Sequence, residues 1–348
     1  MRITVLGGSG FLGSRTVDAL RKASGIDVQV ASRRGPLVVD ATKPETFAAL
    51  RGSDVVVDLI DATTTRPDAL AAWCVENGIV FIEATSDRPA VERLAALQPK
   101  GPGLLVLGGG IFTGVSNLLA RAVAEATVGA RELTLGISSS PYSGAGTGTI
   151  ALMTAAMAQP AVRTVDGQRV EVEKLEAGPK LPFPAKERPT LHMSFAEQGM
   201  LPRSTKVPHV EVFFAPKPAF LVTAFRMLPG FLLRARWFAA LLGLYFTFLR
   251  KVVLKNVVSS VELWARAKGT GEHTRAVTCA DGMMAGALAL AASALLLAEN
   301  RPSATGVVFI DDVLKLEPVV ARANALAGSA VLLVTPQEPT RASLKAVA

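Results

Sequence analysis

A chain of 348 residues, half of them apolar and 19% charged, is too long for one small core and too apolar for wholesale disorder, so two folded domains are expected. Its two cysteines, Cys74 and Cys279, belong to no CxxC or Cys/His cluster; this argues against a disulfide framework or a structural metal site and suits a reducing cytoplasm. The net charge is +8, and residues 199–256 carry the whole excess: Arg203, Lys206, Lys217, Arg226, Arg234, Arg236, Arg250, Lys251 and Lys255 stand against one acid, Glu211. These cations are interleaved with Phe, Leu and Val and accompany no nucleic-acid motif, so no nucleic-acid partner is expected.

The chain starts on a short apolar run that enters a glycine loop directly, without the parts of a signal peptide. Residues 2–6, 27–31, 55–59, 80–83 and 104–107 are short runs rich in Val, Ile and Leu with no polar alternation, which predicts buried parallel strands. Between them, 11–22, 44–50, 67–77 and 88–97 carry helical spacing, with Pro44 and Pro67 at first-turn positions and Gly78 as a stop. Strand and helix in alternation predict an α/β, doubly wound Rossmann domain over 1–125, completed in one arrangement by helices from 300–348.

After about residue 130 the rhythm changes. Segments 131–138, 161–165, 168–174, 206–215, 258–268 and 273–280 alternate or carry β-formers, and Asp166-Gly167 reads as a two-residue hairpin turn. With helices over 148–158 and 283–299, they predict an α+β domain over 126–299 on a mainly antiparallel sheet, and a further helical pattern runs over 311–327. The proline-rich stretch 178–189 reads as a surface loop. Residues 282–298 form a long uncharged, Ala-rich stretch; at about 17 residues and bracketed by Asp281 and Glu299, it suits a buried core helix better than a span.

Gly7, Gly8, Ser9, Gly10, Phe11, Leu12 and Gly13 follow a strand and open a helix, the setting in which a glycine loop cradles the pyrophosphate of a dinucleotide at the positive end of the helix. Roughly 20 residues on, where NAD enzymes place an acid against the ribose 2′-OH, the chain carries Ser32, Arg33 and Arg34. Two guanidinium groups and no carboxylate suit a 2′-phosphate, so NADP(H) is expected in preference to NAD(H). Asp61, Ala62, Glu83 and Ala84 follow strands at the carboxyl edge of the sheet, where ligands bind in such folds, and are assigned to the cofactor surroundings with Asp40.

Together GGSGFLG at 7–13, ASRR at 31–34, Asp40, the segment 54–58, FIEAT at 81–85, GGGIFTGVSNLLA at 108–120 and SGAGTGT at 143–149 resemble the saccharopine dehydrogenase-like reductases. The resemblance covers about the first 155 residues, is fainter at 281–282 and 306–316, and is absent from about 160 to 255. It implies an NAD(P)-dependent oxidoreductase, commonly dimeric, that acts on an imine, amino acid or related small molecule, one lipid-linked branch reducing enoyl groups. The extended short-chain dehydrogenases share the glycine loop but need Tyr with Lys four residues later; Tyr142 and Tyr245 are followed by Gly146 and Leu249.

Hydride transfer usually needs a group that trades a proton with the product. Tyr142, in a glycine-rich segment after a strand, and His192, opening a strand-like run, are the preferred residues, although each has a packing role as its alternative. A protein that binds NADP(H) without catalysis, as adaptor or redox sensor, is the competing reading. In residues 218–255 the uncharged run 237–249 is flanked by cations, and Phe238, Leu241, Leu242, Phe246 and Leu249 fall at helical spacing. That pattern suits either peripheral contact with an anionic membrane or a core or homodimer-interface helix.

Overall fold

The computed structural model describes residues 1–62, 64–140, 147–173, 175–227, 259–335, 338 and 339, together with 237, 241, 243–245, 248 and 252. The chain divides into two compact units, residues 1–118 with 283–331 and residues 119–282 with 332–348, where the sequence reading places boundaries near 125 and 299.

The first unit is built on β1 (Arg2–Leu6), β2 (Asp27–Ser32), β3 (Leu37–Val38), β4 (Val55–Asp58), β5 (Val80–Glu83) and β6 (Leu104–Leu107), with the strand Gly306–Phe309 at one edge. All neighbours are parallel, in the order Gly306–Phe309, β6, β5, β4, β1, β2, β3. The central strands are buried on both faces, as their unbroken apolar runs require. Helices α1 (Phe11–Leu20), α2 (Asp68–Glu76) and α3 (Arg88–Leu94) connect them. Leu20, Leu70 and Leu94 are fully buried, each contributing about 1.5–3 kcal/mol. The segment Pro44–Leu50 is a 3-10 helix, short enough to close on the tighter i→i+3 bond that Arg51 N makes to Ala48 O. Gly306–Phe309 was not anticipated as a strand; four half-buried residues at a sheet edge carry little pattern. The long apolar helix Gly282–Glu299 is buried along most of its length, as a core helix is.

The second unit is a mixed sheet. It uses β7 (Glu132–Ser139), β8 (Ala161–Val165), β9 (Gln168–Val172), β12 (His209–Pro216), β13 (Val261–Lys268) and β14 (Glu272–Cys279), while β10 (Leu181–Pro182) and β11 (Glu187–Arg188) form a small hairpin of their own. The main order is β14, β13, β7, β12, β8, β9, with short strands at Leu333–Val334 and Glu338–Pro339 beside β14. The expectation of a mainly antiparallel sheet holds for every pair except β7 and β12, which run parallel over eight residues, from His209↔Glu132 to Pro216↔Ser139. Asp166 (φ 50°) and Gly167 (φ 74°) both take the left-handed conformation between β8 and β9, the requirement of a two-residue hairpin turn.

Residues 178–189 correct the expected surface loop. The β10–β11 hairpin lays Leu181 and Phe183 over Gly136 on β7, where a Cβ would come within 2.8 Å of Leu181 and 2.9 Å of Phe183. Both join Phe213, Ala215, Trp264 and Ala276 in a buried cluster. The prolines limit the segment to two-residue strands without keeping it off the core.

Candidate functional site

In the first unit the chain leaves β1 through Gly7, at φ +72°, and enters α1 after Gly10. Gly8 and Gly13 are packed: a Cβ on Gly13 would lie 2.1 Å from Gly7 O, and one on Gly8 would lie 2.9 Å from Val30. Ser9, Gly10 and Phe11 face solvent. Gly10 is the N-cap, and no side-chain hydrogen bond caps the first turn of α1, so backbone N–H groups of that turn remain available for an anion at the positive end of the helix. A Cβ on Gly10 would meet Gly7 O at 3.1 Å, so the stronger intramolecular crowding falls on Gly13. The backbone and its exposure fit a pyrophosphate, and Leu12 is half-buried beneath.

Ser32 ends β2, and Arg33 and Arg34 follow in an exposed turn. The next acid along the chain, Asp40, accepts bonds at one oxygen from Thr42 N at 3.0 Å and Thr42 Oγ1 at 2.7 Å. These bonds, and then the charges of Lys43 and Arg33, hold its carboxyl below the usual range. Asp40 is thus engaged by Thr42 and forms no ion pair with Arg33 or Arg34.

At the carboxyl edge of the sheet the last residues of β4 and β5, Asp58 and Glu83, stand directly opposite each other and are 0% and 1% exposed. Asp58 Oδ1 accepts from Ile60 N at 2.9 Å and Glu83 Oε1 from Thr85 N at 3.0 Å. Asp58 Oδ2 and Glu83 Oε2 have no hydrogen-bond partner, so two adjacent buried carboxyls face each other without a donor, and a proton on one of them relieves the repulsion. Burial pushes Asp58 up to about 7; burial first, and then the charge of Asp58, push Glu83 well above its ordinary range. The pair therefore holds one proton where two ordinary carboxylates would hold none. Burial and Asp58's charge also raise the buried Cys74 thiol, which keeps it an unreactive thiol.

The loop after β4 is pinned from α3: Arg93 Nε pairs with Asp68 at 2.7 Å and Arg93 Nη2 donates to Ala62 O at 3.0 Å. Asp61 is exposed and accepts from Thr64 Oγ1 at 2.7 Å. Glu83, expected in the cofactor surroundings, directs its carboxyl inward to Asp58 and Thr85, while Ala84 N donates to Asp58 O at 3.4 Å. After β6, a Cβ on Gly108 would strike Thr113 O at 2.1 Å and one on Gly114 would strike Gly109 O at 2.3 Å. The glycine-rich turn is thus demanded by its own close packing.

The second unit holds a charged cluster that sequence reasoning missed. Glu262 Oε1 receives Arg188 Nη2 at 2.8 Å and Lys217 Nζ at 2.7 Å, and its Oε2 receives Ala185 N at 3.1 Å. Burial works to raise Glu262, but Lys217, the Ala185 amide and Arg188 outweigh it and hold the carboxyl below its usual range. A buried and a half-buried cation share one carboxylate, and Arg188 Nε and the Oγ of Ser138, the register partner of Glu262, have no hydrogen-bond partner. Such a cluster can receive an anionic group. The signal was weak: Arg188, Lys217 and Glu262 lie far apart in sequence, and only the register brings them together.

Tyr142 lies outside the described residues. His192 is buried, with its ring centroid 4.6 Å from that of Phe213 and its Nδ1 without a partner. Burial lowers its pKa, so the ring is neutral at physiological pH. Among the described residues no group of His, Cys, Asp and Glu could hold a metal ion.

No family model and no curated protein matches the sequence. Among solved structures, saccharopine dehydrogenase (L-Glu forming) from Saccharomyces cerevisiae superposes with a TM-score of 0.66 at 15% identity, over 97% of this chain and 99% of that one. A meso-dapdh variant from Clostridium tetani matches at 11% identity and a TM-score of 0.46, over 91% of this chain and 95% of that one. A probable dehydrogenase from Thermotoga maritima matches at 9% and 0.44, over 94% and 95%. In fold, therefore, the chain is similar to saccharopine dehydrogenase.

Proposed function

We propose that the protein is an NADP(H)-dependent oxidoreductase that transfers hydride to an imine, carbonyl or enoyl group of a small-molecule substrate. The observation that carries this reading is the pairing of an uncapped α1 N-terminus behind a glycine turn with an acid-free, exposed Arg33-Arg34 turn at the end of the next strand. The first suits a pyrophosphate and the second a 2′-phosphate. When bound, the nicotinamide would supply the hydride; the residues of this chain bind and orient it. Tyr142 and His192 are the proposed sources of the exchanged proton, and a homodimer in the cytoplasm is the proposed state.

The test is NADPH consumption, followed at 340 nm, over a panel of ketones, cyclic and open imines, and enoyl thioesters of rising chain length. Turnover on one class, reduced at least tenfold by Tyr142→Phe or His192→Asn in folded variants, supports both the reaction and the residue. Tight NADPH binding without turnover on any class would put a cofactor-binding protein in place of an enzyme.

A further inference from the structure

Six large apolar side chains near the end of residues 218–255 are turned to solvent: Trp237, Leu241, Leu244, Tyr245, Phe248 and Val252, exposed by 63, 55, 69, 54, 58 and 61%. The first five are helical. Their spacing places all six within an arc of about 100° on a helix of 3.6 residues per turn. A stripe of this size and continuity is a binding surface on general grounds, since scattered exposed apolar residues do not align. Phe220 and Met227, just upstream, are also exposed, by 67 and 78%. The face expected from sequence shares only Leu241 with this stripe; Phe238, Leu242, Phe246 and Leu249 lie outside the described residues.

We propose that this stripe docks on an anionic lipid surface. Charge decides between occupants. Residues 218–256 contain Arg226, Arg234, Arg236, Arg250, Lys251 and Lys255 and not one Asp or Glu. A second copy meeting this segment across a two-fold axis would bring the same acid-free, cationic sequence against itself. An anionic membrane instead offers acyl chains to the stripe and head groups to the basic residues that flank it. Spanning is excluded by length: the uncharged run 237–249 is about 20 Å long as a helix, against a hydrocarbon core of about 30 Å.

The experiment is flotation of the full chain with phosphatidylcholine vesicles, with and without phosphatidylglycerol, at low and high salt. At least tenfold more protein should float with the anionic vesicles, and high salt should release it. Leu244→Asp and Phe248→Asp, both at exposed positions, should each reduce flotation at least fivefold without changing the thermal melt. Trp237 emission should shift to the blue on anionic vesicles and be quenched by brominated lipid, and Trp237→Phe should remove that change. Absence of flotation in the folded chain overturns the proposal. So does equal flotation with neutral vesicles, or a dimer, seen by light scattering, that Phe248→Asp dissociates while the parent chain ignores lipid.

Discussion

At the scale of single residues, the loop separates glycines that the fold needs from a glycine that a ligand needs. A Cβ at Gly13 would overlap Gly7 O, so Gly13→Ala should cost roughly 1–3 kcal/mol as overpacking does, read as a lowered melting temperature with or without cofactor. Gly10 is exposed, and a Cβ there would meet only Gly7 O, at 3.1 Å; Gly10→Val should lower the melting temperature less than Gly13→Ala and yet lose NADPH binding, because the branched side chain fills the approach of the pyrophosphate. Loss of both properties in Gly10→Val would place that glycine among the structural ones. The motif itself was legible because three spaced glycines after a strand have few other uses, but which of them is crowded depends on how α1 turns back on Gly7.

Asp58 and Glu83 carry a pH prediction. The folded state keeps a proton on the pair up to about pH 7, whereas unfolded carboxyls release theirs near pH 4. Between those limits the folded state binds more protons, so stability is greatest below about pH 4 for this pair and falls as pH rises toward 7. Asp58→Asn removes one of the two buried carboxyls, while burial still raises Glu83, so the variant keeps a weaker pH dependence. Its stability relative to the parent should rise from pH 5 to pH 8, by at most about 1.4 kcal/mol per pH unit, read as a growing gain in melting temperature. An unchanged pH profile in the variant would contradict a shared proton. Both strands end in an acid after three apolar residues, VVVD and VFIE, so the acids were visible in sequence; their pairing was not, because parallel register carries no local mark.

At the scale of elements, the β10–β11 hairpin joins an apolar cover to a charged cluster. Removing Arg188 leaves Glu262 paired with Lys217, while removing the charge of Glu262 leaves the buried Arg188 and the half-buried Lys217 without their shared carboxylate. Glu262→Gln should therefore cost about 3–5 kcal/mol and Arg188→Met only about 1–2 kcal/mol, compared by urea denaturation. The reverse order would mean that Glu262 is held mainly by Arg188. The antiparallel strands of this unit were legible from alternation and from the Asp166-Gly167 turn. The parallel placement of β12 beside β7 was not, since the same alternation suits either direction. The hairpin was missed because prolines at 179, 182, 184 and 189 outweigh, in any local reading, the two apolar side chains that anchor it.

At the scale of the whole molecule, the repeated strand and helix of the first 110 residues made the Rossmann sheet legible. The return of residues 283–331 to that unit rests on one long apolar helix and a four-residue edge strand, whose destination no local pattern encodes. The charge excess was also legible as a segment property, but the exposed stripe at 237–252 required coordinates. The central claim is that the cofactor is NADP(H), held at its 2′-phosphate by the Arg33-Arg34 turn. Its most direct test is fluorescence titration of the parent chain and of Arg33→Asp with NADPH and NADH. The parent should bind NADPH at least ten times more tightly, a difference of about 1.4 kcal/mol, and Arg33→Asp should reverse the order; equal affinities, or tighter NADH, in the parent chain would contradict it.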